Sequence, residues 1–556
     1  MTWPLVTVMT TEIVPDLGDA VFACWVMLWT GGQLGRFLRG DWSALAEFWN
    51  GNIFYPERST IAYAEHLTPQ MLQAMPIFAV TGNIVLAYNL VFFATFVMCG
   101  LGMYLLVREV TGRPWPALLA GVAFAFAPYR MDQFPHIQVV STQWMPLALY
   151  GFRRYFVTGR LRPLIGAAVS VALQALSCAY FLLFFVPFAA AYCAYEMISR
   201  RELLNRGTWL HLGSAWAGAF AITAPFVWPY MNVQRGLDVG VRPLKEVISY
   251  SADIWAFVTA PPSLRLWGER LTLFPKPEGS GFPGLVILVF VAFGIGSVVL
   301  KRVRGKEPTP ALFGFSLAAL AASAVLALGP QIEWHGRAIG SGPYLWLYQH
   351  VPGFTGVRVP ARFLTITTLF AAMLAGMGAA AVTARWRRAG AAIVAIGIVG
   401  ILAESWSAPI GTNQRLFVEH FDLAPRHLAS ASTLGAVYEA VRDLPNPAVL
   451  AEFPFGAPPF DIQTVFYAGF HRKPVINGFS GFFPASFNER FETLGWDPTE
   501  REVEALATLR SANVTHVVVH EAAYLDEKGP RISDWLRRVG AREVVAHGTD
   551  RLFAMK

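Results

Sequence analysis

From residue 83 to residue 405 the chain alternates apolar runs with short clusters of arginine and lysine. This pattern constrains the fold more than any motif does, because about 20 consecutive apolar residues match the hydrocarbon thickness of a bilayer. The runs cover roughly 83–107, 114–129, 141–156, 162–179, 181–199, 209–231, 282–300, 309–329, 361–384 and 389–405. Residues 162–199 are nearly continuous and are divided at "SCAY", since undivided they are too long for one span. The runs 114–129 and 141–156 are short and suit tilted or partly re-entrant segments. Composition agrees: 54% of residues are hydrophobic and 15% charged, whereas soluble domains carry about 25% charged residues. The expected fold class is an α-helical polytopic membrane protein of about 10–11 spans with a small C-terminal α/β domain.

The basic clusters set the orientation. Arg108 and Arg113 follow the first run, and Arg153, Arg154, Arg160 and Arg162 the third. Arg200, Arg201 and Arg206 follow the fifth, Lys301, Arg302, Arg304 and Lys306 the seventh, and Arg385, Arg387 and Arg388 the ninth. Every second connection is basic, and basic connections stay in the cytoplasm. The extracytoplasmic parts are then 1–82, about 130–140, 232–281, 330–360 and the tail. The formal net charge of +7 is accounted for by these clusters, so no nucleic-acid partner is expected. Four cysteines, Cys24, Cys99, Cys178 and Cys193, lie far apart and form no C-x-x-C pair, which argues against a disulfide framework or a cysteine metal site. Met1 to Thr11 lacks the basic start and full apolar core of a cleavable signal peptide; it reads as the outer end of a helix whose beginning is missing.

Three divisions follow: an extracytoplasmic first loop with amphipathic helices (1–82), a helical bundle (83–405) with outer loops 232–281 and 330–360, and a soluble domain (406–556). Loop 232–281 is rich in Pro, Gly and acids (Asp238, Glu246, Asp253, Glu269, Glu278), and loop 330–360 contains the aromatic stretch "GPYLWLYQHVPGF". In the tail, "PAVLAEFPF", "THVVVHE" and "EVVAHGTDRLFAMK" read as strands, and "LGAVYEAVRDL" and "EREVEALATLR" as amphipathic helices.

Four groups of residues carry chemistry. Asp16 and Asp19 stand three apart in the first loop, where a carboxylate serves as general base or metal ligand; the plain alternative is a solvated loop acid, or Asp16 capping the following helix. Glu65-His66 follows "IAYA" and reads on its own as exposed polar residues at an interfacial helix start. Arg130, Asp132, His136 and Gln138 share one short outer loop. There Arg130 either snorkels to lipid headgroups or, with His136, meets a lipid-linked phosphate. "GVRVPARF" holds Arg358 and Arg362, four apart, on one face if a helix starts by Arg358, and guanidinium forks match phosphate oxygens. Their alternative role is interfacial anchoring, which the positive-inside rule disfavours on this side. Nucleotide-binding loops, the Gx-Ser-xG elbow and H-E-x-x-H are absent from the sequence, so no nucleotide cofactor is expected.

The blocks "DLGDA", "NIFYP", "AYAEHL", "AYNL", "GLGMYLLVREVTG", "AGVAFAFAPYR", "HIQVVSTQWMPL", "RVPARF" and "KPVINGFSGFFP" resemble those of uncharacterised bacterial members of the GT-C superfamily of integral-membrane glycosyltransferases. The resemblance runs over most of the chain. It implies a large first outer loop bearing the catalytic acid and a bundle of about a dozen spans. It also implies inverting transfer from a polyprenyl-phosphate sugar donor to a glycan, lipid or protein acceptor at the outer face of the bacterial cytoplasmic membrane. On this resemblance Asp19, ahead of Asp16, is the base; because the positive-inside rule disfavours arginines on this side, Arg358 or Arg362, assisted by Arg130, is expected to hold the donor phosphate, and Glu65, His66, His136 and Gln138 are further site candidates. "DLGD" differs from the commoner adjacent acidic pair, so the choice of acid and the use of a divalent cation stay open. The competing readings are a non-catalytic carrier or flippase for lipid-linked saccharides, which requires buried charge within the spans, and an assembly protein.

Overall fold

Each apolar run forms a helix. The computed structural model describes residues 2–236, 241–303 and 311–556; Asp238, Arg304 and Lys306 lie outside the described residues. Among the described residues, four helices are long and apolar enough to cross a membrane: Ile84–Thr111, Ala179–Ser199, Arg206–Gly236 and Pro360–Arg385. Leu161–Ser177, Leu285–Lys301, Leu312–Ala327 and Gly390–Glu404 are shorter apolar helices. The helix Pro114–Ala125 has 12 residues, about 18 Å at 1.5 Å per residue, well short of a bilayer core of about 30 Å. The long apolar stretch breaks where its length requires, at Cys178, whose backbone is extended (φ −161°, ψ 120°) between two helices.

The described chain divides into two compact units. The first comprises Phe92–Trp228 and Asp238–Pro409. Its central helix, Leu364–Arg385, is buried along most of its length and packs on Leu285–Val303, Ala311–Ala327 and Pro114–Ala125. The approach is close enough that a Cβ at Gly378 would meet the Phe290 carbonyl oxygen at 1.9 Å. Small residues permit this packing between helices where the lipid supplies no hydrophobic drive. Two buried carboxylates in this unit are fully engaged. Glu404, at the end of Gly390–Glu404, accepts from Leu285 N and Val286 N, each at 3.0 Å, and from Trp267 Nε1 at 3.1 Å. It caps the start of Leu285–Val303, whose first N–H groups lack helical partners. Glu196 accepts from Arg153 at 2.8 Å, Arg200 at 2.7 Å and Tyr192 at 2.8 Å. Within residues 330–360 a hairpin precedes the aromatic helix Tyr344–His350: β1 (Gln331–Trp334) pairs antiparallel with β2 (Arg337–Ser341). His335 and Gly336, both at positive φ, form its turn, and Asp253 accepts from both backbone N–H groups, at 3.3 and 2.9 Å.

The second unit comprises Thr2–Val91, Pro229–Leu237 and Ile410–Lys556. Residues 2–11 do not form the helix end expected of them. They hold only a 3₁₀ turn, Leu5–Thr7, because Pro4 and the Thr7 hydroxyl, which donates to the Pro4 carbonyl at 2.7 Å, favour a local turn. The Trp-rich segment is the helix Asp19–Leu38, buried from Ala20 to Gly31. It lies against the tail helix Pro458–His471: Arg472 Nη2 donates to the Leu28 carbonyl at 2.7 Å. Asn52 adds bonds to the Ala468 and Lys473 carbonyls, each 2.9 Å. The tail sheet has strand order β3 (Leu450–Phe453), β4 (His516–His520), β6 (Asp550–Ala554), β5 (Arg542–His547), with β3 parallel to β4 and the rest antiparallel. The last stretch, expected as one strand, is therefore a hairpin, because Gly548 at φ +59° lets the chain turn. Val517, Val518 and Val519 are fully buried.

Candidate functional site

In the first unit, acidic and basic side chains from separate loops gather around Arg362. Arg362 lies in the turn Pro360–Phe363, and its side chain is 6% exposed. Its fork is taken: Nε donates to Glu278 Oε2 at 2.7 Å and Nη2 to Oε1 at 2.8 Å, while the guanidinium lies 4.5 Å over the Tyr180 ring. Burial works against the Glu278 charge. Arg362, with His136 and Arg358 nearby, nevertheless holds its carboxyl below the usual range. Arg358 differs. It does not share a helix face with Arg362, because Pro360 starts the turn and Val359 before it is non-helical. Arg358 is half-buried and lies 4.7 Å over the Tyr250 ring; among the described residues it makes no ion pair or side-chain hydrogen bond.

The loop at residues 130–140 supplies the rest of the cluster. His136 Nδ1 is 3.1 Å from Gln133 Oε1, and Gln138 is half-buried on the turn Ile137–Val140. Asp132, which the sequence reading placed in the loop without a role, is the group missed. Burial lifts its carboxyl to about 6, with Glu278 adding to the rise and Ser280 and His136 opposing it. A carboxyl so placed holds or releases a proton near neutrality; its proximity to Glu278, 146 positions away, leaves no local trace in the sequence. Arg130 does not snorkel to a surface. It is 3% exposed, with Nε donating to the Ala125 carbonyl at 3.0 Å and Nη1 to Thr142 Oγ1 at 2.6 Å, because the turn Pro128–Met131 points it inward between Phe96 and Phe124.

The first-loop candidates belong to the second unit. Asp16 Oδ1 accepts from Gly18 N at 2.9 Å, a local turn that leads into the helix. Asp19 is the first residue of that helix and is exposed; an acid there is favoured by the helix dipole by about 0.3–1 kcal/mol. Glu65 is half-buried. His66 is buried rather than exposed: its Nδ1 accepts from Thr68 N at 3.2 Å and lies 2.7 Å from Thr68 Oγ1, and its backbone N–H donates to the Tyr230 hydroxyl at 3.0 Å. Burial drives its pKa down to about 3, so it serves the start of helix Thr68–Thr81 as a neutral ring. Among the described residues, no three His, Cys, Asp or Glu side chains gather in a way that could hold a metal ion.

A family model described as "Domain of unknown function (DUF6311)" matches residues 29–416. The chain belongs to the DUF6311 family. The match takes in the cluster around Arg362, as well as Glu65 and His66, and begins after Asp16 and Asp19. Among solved structures, this DUF6311 protein is similar to ArnT from Cupriavidus metallidurans in the apo state, with a TM-score of 0.43 and 11% identity over 99% of this chain and 95% of that one. No curated protein matches it.

Proposed function

We propose that this DUF6311 protein is an inverting glycosyltransferase that takes a sugar from a polyprenyl-phosphate donor at the outer face of the cytoplasmic membrane. The observation that carries the reading is the unequal state of two neighbouring arginines. Arg362 is neutralised by Glu278, whereas Arg358 keeps its charge beside Tyr250 with no carboxylate bound to it among the described residues. A half-buried guanidinium without an acid partner is suited to a phosphate, and the Arg362–Glu278 pair fixes the segment that presents it. In such a transfer the acceptor hydroxyl gives its proton to a carboxylate as it attacks the anomeric carbon, and the lipid phosphate departs with the bonding electrons. A cation at the departing phosphate stabilises the charge that develops there. For the carboxylate we favour Asp19, the second acid of "DLGDA", over Asp16.

The test is donor binding by Arg358 variants. Farnesyl phosphate binding to purified protein, read by tryptophan fluorescence, is expected to weaken roughly tenfold or more for Arg358→Ala and less for Arg358→Lys, which keeps charge but loses the fork. Unchanged affinity in a well-folded Arg358→Ala protein overturns the assignment. Transfer is then assayed with a panel of polyprenyl-phosphate sugars.

A further inference from the structure

Arg130 presents a charge that nothing nearby balances. Among the described residues no carboxylate pairs with it, and its Nη2 is buried with no hydrogen-bond partner. The rings of Phe96 and Phe124, 5.1 and 5.8 Å from the guanidinium carbon, attract the cation through their faces, but this is weaker than the cost of removing an ion from water.

The polar groups joined to Arg130 repeat the pattern. Thr142, which accepts from Nη1, lies 3.4 Å from Cys99 Sγ. Gln143, next along the chain, is fully buried with both Nε2 and Oε1 unpartnered. Gln174, also fully buried, donates to the Ser141 carbonyl at 3.1 Å and leaves its Oε1 unpartnered. Trp144 Nε1 is another buried donor with no partner. Buried polar groups in folded proteins are nearly always satisfied. A buried guanidinium N–H left open calls for an acceptor, and a positive charge with no carboxylate on it calls for an anion.

We infer that Arg130 holds a small buried anion, of halide or inorganic phosphate chemistry, in the core of the first unit. Enclosure selects a free ion over a lipid-linked phosphate: Arg130 is 3% exposed and Gln143 and Gln174 are 0% exposed, which leaves no opening for a polyprenyl tail. The inference stands apart from the role proposed for Arg358 and holds whether or not the protein transfers sugar. Its function is to neutralise the inner end of the loop that carries Asp132 and His136.

The test uses the whole protein in detergent, dialysed into sodium gluconate and titrated with bromide or with phosphate at constant ionic strength. Either ion is expected to raise the unfolding midpoint saturably, by about 2–4 °C. Bromide as the effective ion identifies a halide site, and phosphate alone a phosphate site. The rise is expected to persist in Arg358→Ala and to vanish in Arg130→Gln. If Arg130→Gln does not fold, anomalous scattering from bromide-soaked crystals of the native protein decides, with a peak in contact with the Arg130 guanidinium expected. A midpoint that responds to neither ion, an equal response in Arg130→Gln, or crystals soaked in whichever ion raises the midpoint that show none of it at Arg130, overturns the inference and leaves water as the occupant. A response abolished by Arg358→Ala overturns it as well, by assigning the ion to the other arginine.

Discussion

His520 ties the tail domain together through charge, and replacing it gives a pH-dependent loss that can be worked out beforehand. Its Nδ1 lies 2.8 Å from Asp550 Oδ1 and its Nε2 3.4 Å from Glu452 Oε2. Glu452 is fully buried in β3 and also accepts from Tyr438 at 2.9 Å and Thr464 at 3.0 Å. Burial of the imidazole opposes its charge, but the two carboxylates outweigh burial and raise its pKa from 6.5 to about 9. At about 1.36 kcal/mol per pKa unit, that rise amounts to about 3 kcal/mol of stability. Because the folded pKa is raised, this stability is complete below pH 6.5, falls to about 2 kcal/mol at pH 7.5 and is gone above about pH 9. In His520→Gln the pH-dependent part disappears, leaving a constant offset from the repacked Glu452. Hydrogen exchange of peptides from β3, β4 and β6 in the whole protein measures local opening at pH 6, 7.5 and 9. Opening in the variant is expected to exceed the native value by about 100-fold more at pH 6 than at pH 9. A native-to-variant ratio that stays constant across that range refutes the reasoning, because it shows His520 to be uncharged in the folded domain.

Three further outcomes are expected. Asp19→Asn, which removes a proton acceptor with little change of shape, is expected to lower sugar transfer about 100-fold or more, and transfer at native rate, with Asp16→Asn inactive, reverses the choice of base. Glu404→Gln, which leaves one of its bonds to Leu285, Val286 and Trp267 without a carboxylate acceptor, is expected to cost about 1–3 kcal/mol, seen as a lower unfolding midpoint. Cysteines introduced at Lys245 and Asp526 are expected to react with an impermeant reagent in intact cells and one at Arg387 to remain unlabelled; all four native cysteines are buried, so their background is low, and the opposite pattern rejects the orientation.

Elements held by local rules were readable in the sequence. The apolar runs appear as helices, the interruption at Cys178 follows from the excess length around it, β3 follows from a short apolar stretch ending at Pro454, and β4 from a run of three valines. The helix Pro458–His471 was missed because it is buried on nearly every side, and a helix apolar all round shows no amphipathic period. The candidate site was readable residue by residue but not in its pairings. Arg358 and Arg362 look alike in "RVPARF", and only the distant Glu278 distinguishes them. His66 reads as exposed beside Glu65, yet Tyr230 and Trp49, far along the chain from it or on another turn, enclose it. Arg130 reads as a surface residue because its partners Thr142 and Ala125 are unremarkable by type.

The partnership between the helix Asp19–Leu38 and the tail sets a timetable for synthesis. Arg472 and Leu28, joined by a hydrogen bond, are 444 positions apart. At about 5–20 residues per second, the ribosome needs on the order of 20–90 s to make the second after the first. For that interval Trp25, Leu28 and their neighbours lack the cover that the tail gives them, although both are buried in the finished protein. A nascent chain in this state must be sheltered by lipid or by a chaperone, and a message cut short before the tail leaves that helix permanently without its partner.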